Sequence, residues 1–434
     1  MEPIYELFLK YFQAEDLDSC RNLINQPEFD INHIYTQAEL KTKLLNFPIA
    51  LSTSTLNILQ LIARLGKRWA SPLITNILEL GVGGGGGAVV VDFDLPNNNG
   101  WTALMMATCH SNNTSSLETV EALIRAGAKL DLQNRDGNTA LILAARYSND
   151  TSSLQTVELL IRFGANLDLQ NSEDDTALIK AACYSNKTSS LQTVKLLMGA
   201  GAKLDLQNKK GCAALTIASC YSNDSSSIET VELLISAGAE VDLQDSEGNT
   251  ALIYASNNSN KTSSLQTVEL LIHAGAKLDL PNKDGYSALM LASYYSNDIS
   301  SLETVATLIR AGANLDLQNN NGSTAIMFAS RHSNGSSSLA TVELLIRADA
   351  NLDLQEWKGD GWTALMYAAC HSNETSSLET VRLLIGSGAN LDLQDKNGYT
   401  ALISAASKVK TTCSVETVAT LISAGAKFDL QKPK

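Results

Sequence analysis

One unit of about 37 residues is repeated nine times along this chain. Each copy begins with Thr-Ala-Leu or a close variant, and consecutive starts lie 37 residues apart except for one interval of 39. The starts are Thr102, Thr139, Thr176, Ala213, Thr250, Ser287, Thr324, Thr363 and Thr400. A fixed period means that each unit is a supersecondary structure that buries its apolar face against its neighbours. The 434 residues are therefore expected to form an array and not about three ordinary domains.

The unit is predicted to be a helix, a polar loop, a second helix and a turn. Thr139 is the expected N-cap of a short first helix. In the second segment apolar residues recur with helical periodicity at Leu154, Val157, Leu160 and Ile161. Ser152 with Gln155 predicts a capping box at its start, and Gly164 predicts a left-handed C-cap at its end.

The sequence Thr139-Ala-Leu-Ile-Leu-Ala-Ala, followed by a Gly-Ala-ended helix and Leu167-Asp-Leu-Gln, resembles the ankyrin repeat family. The resemblance covers residues 92–434, with Ala in place of the family's Pro, as at Ala140, and apolar residues or Thr in place of its His. The long Ser/Thr/Asn loops look like those of ankyrin arrays encoded by large amoeba-infecting DNA viruses. The resemblance implies an all-α solenoid that binds a protein partner on a concave face of turns and first helices, with no enzymatic activity.

Residues 1–91 read as degenerate or capping repeats, with predicted helices at Ile4–Phe12, Leu17–Ile24, Leu56–Arg64 and Leu73–Leu80. A flexible tract, Gly83–Gly87, interrupts this head before the nine regular repeats. An alternative function, an adaptor that recruits a host enzyme such as a ubiquitin ligase, would have to use this head.

Composition excludes several classes of ligand. The net charge of −14 argues against nucleic acid and is compatible with a neutral or basic protein partner. No N-terminal segment resembles a secretory signal, and Leu44–Ala63 is too polar for a membrane span. These features predict a cytoplasmic protein with reduced cysteines, located in the host cytoplasm if it is viral. A nuclear location is an alternative that the sequence leaves open.

Three motifs have a plain structural interpretation. Asn-x-Ser/Thr sequons that recur along the repeats, beginning with Asn112, would describe a glycosylated surface or virion protein, but turn and cap chemistry explains the same residues. Gly81–Gly86 matches a dinucleotide motif in the wrong order of strand and helix. Cys109, Cys183 and Cys220, with Cys370, share a column whose roughly 10 Å spacing is too wide for disulfides or a metal. We therefore predict no cofactor, no metal site and no catalytic residues.

Aromatic residues in two surface columns are the candidate partner contacts. One column ends the first helices and the other precedes each Thr-Ala-Leu triplet, and the former could equally pack across the loops. The single lengthened turn, Gln355–Trp362, carries two of the four tryptophans, and exposed aromatics on a projecting loop are hot-spot candidates. The predicted contacts are Trp101, Tyr147, Tyr184, Tyr221, Tyr286, Tyr295, Trp357, Trp362 and Tyr399.

A third column is acidic and comprises ten aspartates. Their summed field could steer a basic partner, or each side chain could cap a turn. The aspartates are Asp94, Asp131, Asp168, Asp205, Asp242, Asp279, Asp316, Asp353, Asp392 and Asp429. Three departures from the repeat, namely Asp174 and Asp349 in place of glycine and Ala213 in place of a capping hydroxyl, predict the weakest points of the array.

Overall fold

The computed structural model describes residues 92–409 and 411–427 throughout. Of the first 91 residues it describes one helix, two strands and single residues at 8, 10, 11, 14, 16, 26, 60, 62 and 63. Contacts divide the chain into two compact units, Met1–Lys209 and Lys210–Lys434. The predicted single solenoid over residues 92–434 stays a prediction.

From residue 103 onward the helices come in pairs, in which the first helix has seven or eight residues and the second has nine. In the first unit they are α1 (Leu17–Ile24), α2 (Ala103–Cys109), α3 (Leu117–Arg125), α4 (Ala140–Arg146), α5 (Leu154–Arg162), α6 (Ala177–Cys183) and α7 (Leu191–Gly199). In the second unit they are α8 (Ala214–Cys220), α9 (Ile228–Ser236), α10 (Ala251–Asn257), α11 (Leu265–His273), α12 (Ala288–Tyr294), α13 (Leu302–Arg310), α14 (Ala325–His332), α15 (Leu339–Arg347), α16 (Ala364–Cys370), α17 (Leu378–Gly386), α18 (Ala401–Lys408) and α19 (Val415–Ser423). The predicted all-α class of repeated helix pairs is confirmed.

Within each unit the first helices pack side by side and the second helices form another row behind them. The Ala and Leu of each Thr-Ala-Leu triplet are buried, as are the Val and Leu that face them from the second helix, for example Val157 and Leu160. Ile142, at the position of the family's His, is also buried. The expected apolar substitution at this position is therefore confirmed.

Hydroxyl groups supply polar bonding between neighbouring repeats. After seven of the first helices a serine lies 2.5–2.7 Å, oxygen to oxygen, from a threonine in the second helix of the next repeat. These pairs are Ser111–Thr156 and Ser148–Thr193 in the first unit, and Ser222–Thr267, Ser259–Thr304, Ser296–Thr341, Ser333–Thr380 and Ser372–Thr417 in the second. Because most of these hydroxyls are buried, each pair satisfies two groups that would otherwise cost free energy.

The ends of the helices follow the sequence with one correction. Thr139 Oγ1 accepts from Ile142 N at 3.2 Å, and Gly164 has the expected positive φ of 89°. The predicted cap Ser152 is wrong, because Ser153 Oγ accepts from Thr156 N at 3.2 Å instead. Ser152 is fully buried within 3.4 Å of Ser111 Oγ. Adjacent serines have the same capping chemistry, so only packing decides which one begins the helix.

The head contains the one strand pair of the described residues, β1 (Ile34–Thr36) and β2 (Thr55–Asn57), which are antiparallel. This corrects the predicted start of a helix at Leu56; the β-branched or aromatic residues Ile34, Tyr35 and Thr36 of β1, and Thr55 of β2, favour a strand. Helical residues occur further on, at Gln60, Ile62 and Ala63. The glycine tract 83–87 and the predicted helix at 73–80 lie outside the described residues.

Candidate functional site

The acidic column is part of the structure of the array. In eight of its ten aspartates a carboxylate oxygen accepts the backbone N–H at the start of the next repeat's turn, at 2.8–3.0 Å. Asp94, Asp168, Asp242 and Asp392 also lie 3.2–3.7 Å from a lysine amine. For Asp392 these bonds lower the carboxyl pKa. The capping interpretation therefore holds for these eight, although the capped turn belongs to the next repeat.

The asparagine side chains of the sequon loops also join neighbouring repeats. Asn112 Nδ2 donates to Asp150 O at 3.2 Å, and Asn223 Nδ2 donates to Lys261 O at 3.3 Å. Asn297 makes the same bond to Gly335 O at 3.2 Å, although its loop has lost the sequon. A structural role shared by loops with and without the sequon favours turn chemistry as the reason for these asparagines.

Cysteines and acidic groups form no recognisable reaction centre in the described part of the chain. None of the seven cysteines forms a disulfide in the described structure, and burial raises the pKa of Cys370 and Cys413. Within the described residues no group of three His, Cys, Asp or Glu side chains is arranged to hold a metal ion. Nor does any described helix have the length and apolarity to cross a bilayer.

The first-helix face is the surface made by the residue before each triplet and by the fifth, eighth and ninth residues from the start of the triplet. In the second unit it carries a cluster of rings. Tyr294 lies 4.3 Å from Tyr295, 4.6 Å from His332 and 5.7 Å from Phe328, centroid to centroid. Tyr286 lies 5.5 Å from Phe328. Two predicted contacts, Tyr286 and Tyr295, are thus linked through Tyr294 and Phe328, which the sequence columns did not single out.

A second group of rings lies on the same face around Trp362. Its ring packs edge-to-face on Tyr367 at 5.1 Å, and its Nε1 donates to Asp395 Oδ2 at 3.3 Å. Tyr367 donates its hydroxyl to Glu356 Oε2 at 2.8 Å, and burial with this bond raises the pKa of Tyr367. Trp362 is only partly exposed, so its ring packs against neighbouring side chains and also presents part of its surface to solvent.

Trp357, in contrast, projects into solvent. It is 55% exposed, and its Nε1 donates to Asn320 O at 3.3 Å. Lys396, in the turn of the next repeat, holds the lengthened turn in place. Its Nζ donates to Trp357 O at 2.5 Å and to Gly359 O at 2.9 Å. A large ring is therefore held on a braced loop, which is the arrangement expected for a partner contact.

The remaining predicted contacts are dispersed. Trp101 is half-buried and its carbonyl accepts from Gln60 Nε2 at 2.7 Å. Tyr147 and Tyr184 are half-buried, with the Arg146 guanidinium carbon 5.0 Å from each ring centroid. Tyr221 and Tyr399 are exposed by 38% and 44%. These residues share a face within their own units without forming one site.

Sequence reasoning missed Tyr294, Phe328, Tyr367 and Arg331. The fifth and eighth residues of the triplet helix lie on the same side as the ninth, so helical periodicity from the turn could have found them.

Burial, followed by the charge of Arg331, lowers the pKa of His332 to about 4 and also lowers that of His371. Both imidazoles are therefore neutral at pH 7.

A family model described as ankyrin repeats (3 copies) matches residues 14–152, 110–190, 148–245, 186–279, 219–314, 259–356, 297–375 and 333–432. Among solved structures, the chain is similar to the ankyrin repeat domain of Bcl-3, described as a unique member of the IkappaB protein family. The two are 29% identical over 57% of this chain and 99% of that one, with a TM-score of 0.47. No curated protein matches the sequence. Neither match bears on the likeness to viral arrays.

Proposed function

Because the chain belongs to the ankyrin repeat family, whose members are generally protein–protein interaction modules and typically non-enzymatic, we propose that it is a scaffold that binds a protein partner through its first-helix face and turn tips. In ankyrin arrays these elements line the concave face, as the sequence resemblance implied. The observation that carries the proposal is the set of aromatic side chains on the first-helix face of the second unit, together with the exposed ring of Trp357 in the lengthened turn.

The rings support this proposal because of where they lie. Aromatic side chains that are half-buried and braced by neighbours lose little conformational freedom when a partner covers them. Trp357 adds a projecting anchor to this surface, and tryptophan is among the residues that most often dominate interface energetics. The acidic column, being engaged between repeats, gives less support to a purely electrostatic attraction of a basic partner.

The test is affinity capture from native cells with the full chain as bait, quantified for wild type, Trp357→Ala and Phe163→Ala. Phe163 is the matched control, because it is an aromatic residue of 38% exposure at the end of a second helix. We expect partners retained by wild type and Phe163→Ala to be depleted with Trp357→Ala. Equal retention by all three baits would contradict the proposal for this turn.

Trp362→Ala is a separate variant and should not be combined with Trp357→Ala. It removes the packing on Tyr367 and the bond to Asp395, so it is expected to lower the unfolding temperature as well as binding. Trp357→Ala should leave the unfolding temperature nearly unchanged, since most of that ring faces water. Thermal unfolding of each bait therefore separates lost contact from lost fold.

A further inference from the structure

Two arginines on the first-helix face differ from the arginines elsewhere on the helices. Arg146 and Arg331 occupy the same position of the repeat, the eighth residue from the start of the triplet, one in each compact unit. This position is otherwise Cys, Asn, Tyr or Ser. Both side chains lie against tyrosine rings, with the guanidinium carbon 5.0 Å from the centroids of Tyr147 and Tyr184 for Arg146, and 5.2 Å from that of Tyr367 for Arg331.

The arginines of the second helices all have an acidic neighbour. Each has a guanidinium nitrogen within 4.0 Å of a glutamate oxygen, in the pairs Arg125–Glu121, Arg162–Glu121, Arg310–Glu303, Arg347–Glu343 and Arg382–Glu379. Within residues 92–409 and 411–427, neither Arg146 nor Arg331 makes such a pair. The lysine on the first-helix face of the first unit, Lys180, is paired with Asp175 at 2.6 Å.

Hydrogen bonding gives the same contrast. The Nε of Arg146 is buried and has no hydrogen-bond partner. The terminal nitrogens of half-buried Arg146 donate to no acceptor in the described structure, and the exposed Arg331 side chain likewise donates no hydrogen bond there. A guanidinium carries five N–H donors in a planar fork that matches a carboxylate. The guanidinium group of each arginine is thus oriented by contact with tyrosine rings and has no hydrogen-bond acceptor in the described structure.

We propose that Arg146 and Arg331 each bind a carboxylate of the partner, so that the partner presents Asp or Glu beside apolar residues. This inference rests on the proposed function and specifies the chemistry of the partner. A carboxylate fits better than nucleic acid, because these are single arginines in a chain of net charge −14, whereas a phosphate backbone requires clustered positive charge. The neighbouring rings of Tyr147, Tyr184 and Tyr367 supply apolar contact for the residues that flank the acidic one.

The local charges are compatible with one carboxylate per arginine. Glu356 is a buried residue, with 9% exposure, and its carboxylate already accepts the hydroxyl of Tyr367. His332 and His371 are neutral at pH 7, so the positive charge at this place on the face comes from Arg331 and from exposed Lys408, both of which act on His371. A partner carboxylate would replace water around the guanidinium and form charge-assisted bonds in a partly desolvated setting.

The test uses a displayed library of random dodecapeptides, panned on the purified full chain. We expect the retained peptides to be enriched in Asp and Glu relative to the unselected library. For a retained peptide, Arg146→Gln with Arg331→Gln should weaken binding on the order of tenfold or more. Replacing the same two residues by Lys should also weaken binding, because lysine keeps the charge without the fork.

Arg125→Gln with Arg347→Gln is the matched control, since it removes two charges from exposed second-helix positions. This control should change the affinity by no more than about twofold. Retained peptides of neutral or basic composition, or equal losses in both double variants, would overturn the acidic-partner inference and leave the scaffold proposal standing. Failure to retain any peptide would count against both.

Discussion

The first helix α8 follows Ala213, which has no capping hydroxyl where its counterparts have Thr or Ser, and this gives a quantitative prediction for Ala213→Thr. Ala213 has φ −89° and ψ 175°, close to φ −86° and ψ 169° at Thr139, but it offers no side-chain acceptor. Thr176 and Thr250 place their Oγ1 at 3.2 Å from the third amide of their helices. A threonine at position 213 would therefore reach Thr216 N without a change of backbone.

The size of the effect follows from burial and from the usual strength of caps. Thr216 is only 3% exposed, so water has little access to its amide. Exchange of a capping Thr for Ala typically costs about 1 kcal/mol, within a range of about 0.5–2. We expect Ala213→Thr to stabilise the second unit by about 1 kcal/mol, which corresponds to roughly 2–4 °C in the unfolding temperature of a domain of 150–250 residues.

Calorimetry gives the unfolding temperature, and hydrogen exchange of the amides at 214–217 gives the local effect. Thr139→Ala is the reciprocal control, because it deletes the 3.2 Å bond to Ile142 N and should accelerate exchange there. If Ala213→Thr leaves exchange at Thr216 unchanged while Thr139→Ala accelerates it at Ile142, the capping explanation is refuted. Threonine would then act in these repeats through packing.

Other predictions concern strain, hydroxyl pairing and protonation. Asp349→Gly removes a non-glycine φ of 69° and should raise stability by about 1 kcal/mol, measured by urea unfolding. Thr193→Val deprives Ser148 Oγ of its 2.5 Å partner and should cost about 1–3 kcal/mol, and a cycle with Ser148→Ala should show that the two losses are not additive. Because the pKa of His332 is about 4 when folded and about 6.5 when unfolded, the unfolded chain binds the proton first as the pH falls. Stability should therefore decline between pH 6.5 and 4, and less so in His332→Gln; equal declines would refute the assignment.

Features that are local in sequence could be predicted from it, and features that arise between repeats could not. Thr139 as a cap and Gly164 as a C-cap follow from three or four neighbouring residues. The pair Ser148–Thr193 joins residues 45 positions apart, and no local pattern indicates that both hydroxyls are buried and face each other. Asp94 reads as an exposed acid in the sequence, yet it bonds to Lys129 N, 35 residues away.

The same distinction separates structural columns from candidate binding residues. An aspartate copied into successive repeats bonds in the same way at each step, so it gives a partner no preferred place along the array. Residues that depart from their column do give such a place, because they occur once or twice. Arg146 and Arg331 interrupt a column of mainly small or uncharged residues, and Trp357 sits in the one lengthened turn. In a repeat protein of this kind, recognition is therefore expected where the repetition fails, and substitutions there should change partner affinity more than stability.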